Sequence, residues 1–469
     1  MDSIYLDTFY FAIPVRLVDK DFKKLMGERP FGDVRNDYEV PQMSISPVSG
    51  SLSDYLGLPL ASSGHSFSVC PWWHRAYNLV YNEWFRDENL CPARPVAGVH
   101  EDGTITDEAE SDYSLVRRCK RKDYFTGGLP WPQKGAPASF PFTIEGSAYI
   151  PPVSSLVDTS GANEPIGFRI GSLSSGSSYA PLQVVSTSDG VSLGSLGYSS
   201  NQQLELAGGD VELQLSAASS LTVNQLRETI AIQHLLETDA RGGTRYVELI
   251  RAHFNVVSPD ARQQRPEYLG GSSIPLNVTT VAQTSSSTSD SPQGNLAAFV
   301  TANHNSSWTK TFTEHTLILG LANVRADLSY QQGIPRMFSR HTKYDFYWPE
   351  LANLGEQSIL NKEIFAQGDE NDEETFAFQE RWAEYRYHPN MITGQFRSTA
   401  PLTLDYWHLA QKFDTLPQLN QEFIEEHVPI DRVLAVSTSQ APNLILDGWF
   451  EVNAARLMPL YSVPGLGRL

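Results

Sequence analysis

Over residues 117–134 the chain sets cations beside rings. Arg117, Arg118, Lys120, Arg121 and Lys122 run into Tyr124, Phe125, Trp131 and Lys134. Such a run can hold single-stranded nucleic acid, with cations on phosphates and rings under bases at ~1–3 kcal/mol per stacked base, largely without sequence preference. The same residues equally fit a solvated charge run beside core aromatics. A second constellation lies in residues 330–367, YQQGIPRMFSRHTKYDFYWPELANLGEQSILNKEIFAQ, where Arg336, Arg340 and Lys343 alternate with Phe338, Tyr344, Phe346, Tyr347 and Trp348. Rigid rings interleaved with Arg are the anchor chemistry of protein interfaces. Unstructured connections beyond roughly 12–15 residues are uncommon in compact domains. This stretch, punctuated by Gly333, Pro335 and Pro349, therefore reads as an ordered strap of contact residues.

Other chemistries find little support. Residues 127–135, GGLPWPQKG, pair Lys with Gly but lack phosphate-loop spacing, and two prolines stiffen them. No nucleophile elbow or HExxH occurs, and the eleven His are scattered. Carboxylates that meet only in space leave a glycosidase open. The acidic run 369–374, DENDEE, lacks the glycine turn and spacing of a calcium loop and reads as a solvated loop, with no metal assigned. Cys70, Cys91 and Cys119 are odd in number and without zinc-finger spacing, so they read as thiols of a reducing cytoplasm. On that view the sequons at Asn277 and Asn305 are accidental.

The elements that must position these groups are mainly strands. Tyr5, Phe9, Phe11 and Ile13 alternate in period two, as do residues 315–330, which are apolar on both faces and so suit burial between layers. A further strand is expected over 443–453, with Leu444, Leu446, Phe450 and Val452 spaced for burial. Strands this far apart, joined by long excursions, suit a sandwich or jelly roll. Trp73, Tyr77, Val80, Tyr81 and Trp84 predict an amphipathic helix over 71–89. Thr222 with Gln225 reads as a capping box opening a second helix, and Tyr246, Leu249, Ile250 and His253 mark a third.

Composition divides the chain into a body, 1–144 with 220–469, and an insertion, 145–219. The insertion is rich in Gly and Ser and carries Arg169 as its single cation. Its sequence LELAGGDVELQL alternates about Gly208, Gly209 and Asp210, the pattern of a β-hairpin. No apolar run reaches the roughly 20 residues of a membrane helix, so no membrane insertion is expected. The net charge of −19 argues against a general neutraliser of phosphate, which would need an excess of cations.

Long blocks in one order carry a family resemblance. They include YLDTFYFAIPVRL (5–17), CPWWHRAYNLVYNEWFRDENL (70–90), DYFTGGLPWPQKG (123–135), DARGGTRYVELIRAHF (239–254), RPEYLGGSSIPLNV (265–278) and QERWAEYRYHPNMITGQFR (379–397), besides VRADLSYQQGIPRMFSRHTKYDFYWPELANLGEQSILNKEIF (324–365). The chain resembles the major capsid proteins of gokushovirus-type microviruses, small icosahedral bacteriophages with single-stranded DNA. The resemblance implies an eight-stranded antiparallel jelly roll of the viral capsid type, and a homo-oligomeric T=1 shell around circular DNA. It implies that the insertion forms threefold protrusions that meet a host-surface receptor, with Gly208, Gly209 and Asp210 at the contact hairpin. No catalytic residue or cofactor comes with it. Given the acidic charge, a small basic DNA-condensing virion protein is the expected partner, with assembly in the bacterial host cytoplasm. The family pattern has several dozen residues before the YLDTFYF block, whereas this sequence opens almost at it, and the ending PGLGRL differs from the commoner tail. The rival readings are a carbohydrate-binding β-sandwich that uses 145–219 as its reader, and a β-rich hydrolase.

Overall fold

The computed structural model describes residues 4–29, 31–32, 38–96, 108–138, 223–282, 284–286, 296–303, 305–433 and 444–456, with four short strands between 167 and 207. The chain divides into two compact units, one of 1–137 with 234–469 and the other of 138–233.

Strand Ile4–Pro14 lies at the centre of the main sheet. It runs antiparallel to Thr316–Ala326 on one side and to Glu267–Pro275 on the other. Period-two alternation places Phe11 opposite Leu319 and Ile13 opposite Leu317, and these cross-strand pairs form one wall of the larger core. Met43, Ile45, Ala76, Tyr77 and Val80 close that core from the other side. The register with Glu267–Pro275 shifts between Tyr10 and Phe11. A Cβ on Gly271 would stand 2.0 Å from the Thr8 carbonyl oxygen, so only glycine lets the two backbones meet there.

The regular helix covers Trp72–Val80, shorter than its periodicity suggested. It widens into a π-helical turn over Tyr81–Phe85, which ends where Arg86 turns extended. From that turn Phe85 packs edge-on against Phe9 with ring centroids 5.0 Å apart, and Trp84 lies 5.5 Å from Phe11. The helices Val223–Gly242 and Tyr246–Phe254 follow, the second opened by the Glu248 carboxylate accepting from the Arg245 amide. Thr222 lies outside the described residues.

A second core forms on the hairpin of Glu356–Leu360 with Thr375–Glu380, where Ile359, Phe376 and Ala377 meet Tyr124, Phe125, Tyr330, Ile364 and Phe423. The fold is mainly β with few helices. Its described sheets are one of three strands and five of two, which do not by themselves lay out an eight-stranded jelly roll. In the smaller unit Gln202–Ala207 pairs with Gly167–Ser172, while Gly208, Gly209 and Asp210 lie outside the described residues.

The strand expected over 443–453 does not form where the chain is described. Residues 444–456 are irregular and exposed, with Ile445 at 95% and Trp449 at 90%. Alternating apolar residues make a strand only where a partner backbone supplies the ladder, and among the described residues no backbone pairs with this segment.

Candidate functional site: the basic cluster and the aromatic strap

The cations of 117–122 are held by carboxylates far away in sequence. Asp7, 1% exposed on the central strand, receives Arg121 and Arg325 at 3.0 Å each and Arg118 at 3.3 Å. Burial alone would raise the Asp7 pKa, but the Ser273 hydroxyl and the three guanidiniums outweigh it and hold the carboxyl below its ordinary value. Arg118 also reaches Glu426 at 3.6 Å and lies over the rings of Phe9 and Phe85. Burial pushes the Glu426 carboxyl up. Lys122 pairs with Asp87. These contacts clamp the segment to the main sheet and to residues 423–426.

Lys120 is only 5% exposed, donates to the Phe423 carbonyl at 2.5 Å and sits 4.5 Å from that ring. Burial lowers its pKa to about 8. With Arg118 turned inward as well, the five-cation run does not present five charges to solvent. Arg117 is exposed, and the side chains of Arg121 and Lys122 are half and more than half open to water respectively. Lys134 donates to the Thr244 hydroxyl at 3.0 Å, and the Trp131 indole nitrogen is buried without a hydrogen-bond partner. Tyr124 and Phe125 belong to the second core, with the Tyr124 hydroxyl on Glu363 at 2.9 Å. The sequence reading missed these partners because Asp7, Asp87 and Glu426 approach the cluster only through the tertiary fold.

The strap is anchored at one end and open along its length. Gly333 lies against the Glu363 carbonyl, where a Cβ would stand 1.9 Å away. Arg336 is fixed inward by Glu363 at 2.8 Å and the Ser358 carbonyl at 2.7 Å. Beyond it Phe338, Tyr344, Phe346, Tyr347 and Trp348 keep 47–70% of their surface exposed. They are nonetheless set in place. The Trp348 indole donates to the Lys343 carbonyl at 2.8 Å, and Tyr347 packs edge-on against Trp382. Asp345 accepts the amides of Thr342 and His341, which hold its carboxyl below the usual range. Arg340 lies over Phe346 and Tyr385 and lines a cavity of about 380 Å³ with Arg336 and Arg381.

Elsewhere, the Cys91 and Cys119 sulfurs are buried 3.6 Å apart as free thiols, and Cys70 is half-buried. In the acidic loop Asp372 accepts the amides of Gln367 and Gly368, so part of its charge closes a turn. Among the described residues no group of three or more His, Cys, Asp and Glu could hold a metal ion, and no helix is long and apolar enough to cross a membrane.

The architecture is that of a β-rich protein that leaves a row of rings exposed on one surface. A family model described as capsid protein (F protein) matches residues 1–466, and the chain belongs to that family. Capsid protein VP1 of Bdellovibrio phage phiMH2K is 42% identical over 99% of this chain and 86% of its own length. The VP1 proteins of Chlamydia phage 1 and Spiroplasma virus 4 are 40% and 39% identical over the whole chain, and 88% and 87% of their lengths. The gokushovirus-type likeness read from the sequence therefore stands, and the chain has a structural, non-enzymatic role as a self-assembling component of a virion.

Proposed function

We propose that this chain is the repeated subunit of a T=1 icosahedral shell around circular single-stranded DNA, built on an eight-stranded jelly roll. The carrying observation is the strap, whose five rings stay open in a single copy while Trp348 and Tyr347 are fixed by contacts within it. Contiguous apolar surface of this kind marks an interaction site, and heterologous contacts that repeat with a closing rotation make a sealed assembly. DNA contact falls to Arg117, Arg121, Lys122, Lys134 and Trp131, since Arg118 and Lys120 are engaged inside. A small basic virion protein supplies most of the charge needed to condense the genome, because the shell chain itself carries −19. Residues 145–219 form threefold protrusions that meet the host receptor through Gly208, Gly209 and Asp210, and assembly takes place in the host cytoplasm.

Trp348→Ala tests the reading. The variant is expected to purify as a folded monomer that forms no closed particles in electron micrographs. Particles of normal yield and heat resistance would overturn the assignment of the strap to the contact surface.

A further inference from the structure

Two features of the larger unit have no use within one copy, and their chemistries are complementary. The first is the cavity beside the strap. Its acidic residues are already engaged: Glu356 pairs with Arg241, Glu373 with Lys362 at 2.5 Å, Glu384 accepts from Gln357 at 3.0 Å, and Asp345 caps its turn. Of its guanidiniums Arg336 is held by Glu363, but Arg340 and Arg381 are not so engaged. The Nε groups of Arg340 and Arg381 are buried without a hydrogen-bond partner, and among the described residues neither side chain pairs with a carboxylate. Both are instead held over rings, Arg340 on Phe346 and Tyr385 at 5.0 and 4.7 Å, and Arg381 on Trp382 at 5.0 Å. A guanidinium held over rings keeps its remaining N–H groups available to a carboxylate.

The second feature is the segment 444–456. Leu444, Ile445, Leu446, Trp449, Phe450 and Val452 are all exposed, and Asp447 and Glu451 bracket the two rings. Laid out as a strand, Asp447, Trp449 and Glu451 fall on one face, carboxylates on either side of an indole, while Leu446, Phe450 and Val452 fall on the other. Successive residues on one face of a strand are roughly 7 Å apart, so the two carboxylates span about 13 Å.

We propose that residues 446–452 of one copy dock as an extended segment on the strap and cavity of a neighbouring copy. In the docked pair the carboxylates of Asp447 and Glu451 meet Arg340 and Arg381, and Trp449 packs on the exposed strap rings. The inference rests on the shell-subunit reading and adds to it which segment joins one copy to the next. The occupant is a second copy because the family assembles from many, and because the segment carries carboxylates for Arg340 and Arg381 together with apolar rings that can pack on those of the strap. The period-two pattern that found no partner among the described residues then has its use between chains.

A charge exchange tests the pairing. Arg340→Glu with Arg381→Glu, and separately Asp447→Arg with Glu451→Arg, are each expected to cut particle yield by about tenfold or more, as charge reversal does at a close ion pair. The four substitutions together are expected to restore most of the yield. Circular dichroism of each unassembled variant checks that it is folded. Wild-type yield from either double variant, or no recovery in the quadruple variant when all three are folded, would overturn the proposal.

A cysteine pair provides a second reading. Glu451→Cys with Arg340→Cys, in a chain carrying Cys70→Ser, is expected to give a ladder of covalent multimers when its particles are oxidised. A cross-linked monomer alone would mean that the segment folds back on its own cavity, and shells without any cross-link would mean that it docks elsewhere. Either result sinks this inference and leaves the shell reading standing, whereas failure of the wild-type chain to form particles under matched conditions defeats both.

Discussion

Asp7→Asn removes the charge on which Arg118, Arg121 and Arg325 converge while keeping the side chain's size. The three contacts are unequal. Arg325 and Asp7 are both nearly inaccessible, Arg118 is mostly covered, and Arg121 is half open to solvent. Screening leaves the Arg121 pair worth under ~1 kcal/mol. Taking one partner from a buried pair costs about 3–5 kcal/mol, toward the lower end here because Arg325 keeps Asp327 at 3.0 Å and Arg118 keeps Glu426 at 3.6 Å. For a body of this size each kcal/mol lowers the melting temperature by about 2 °C, so a drop of roughly 6–10 °C follows. Calorimetry of the unassembled chain at neutral pH measures it, with Arg121→Ala as the control expected to move less than about 2 °C. The pH dependence has a definite sign. The folded carboxyl lies below its ordinary 3.8, so its contribution is complete above that value and is lost as pH falls through the folded one. Asp7→Asn should therefore flatten the acid limb of the stability profile. A variant that melts within about 2 °C of the parent, with an unchanged acid limb, would refute the clamp.

Three further outcomes are expected. Neutralising Arg117, Arg121, Lys122 and Lys134 together should lower DNA retention, with a shallower dependence on salt, while Lys120→Met should leave retention unchanged. Because the folded Lys120 titrates near 8 against an ordinary 10.5, the parent gains stability as pH rises between those values; urea midpoints of Lys120→Met should lack that rise. Replacing 145–219 with a short linker should preserve particles and abolish host attachment, and loss of particles would show the insertion to be architectural.

How far the sequence could be read depended on how local each signal was. Ile4–Pro14 and Thr316–Ala326 were legible as strands from the alternation within each, but the burial on both faces expected of the second does not hold, since Leu317 and Leu319 are buried while Ile318 faces out at 37% exposure. The helix at Trp72–Val80 was legible for the same reason, although its end was not, because the π turn that delivers Trp84 and Phe85 to the sheet is set by packing. The basic cluster looked like a surface because its counter-charges sit at Asp7, Asp87 and Glu426, and nothing near residue 117 announces them. The segment 444–456 has the pattern of a strand but, among the described residues, no neighbour that would make it one. Composition found the change at 145–219, but the pairing of Gln202–Ala207 with Gly167–Ser172 joins residues too far apart for a hairpin signal.

The pairing of Ile4 with Ala326 also bears on how the protein is made. On a ribosome adding about 5–20 residues per second, the sheet's middle strand emerges roughly 15–60 seconds before its long partner exists. For most of that interval, until Glu267–Pro275 is made, a ribbon of Phe, Tyr and Ile has neither edge satisfied, and every nascent chain on the same message carries an identical one. Rapid translation, or a holdase that shields the first fourteen residues, should then govern soluble yield more strongly than the stability of the finished fold.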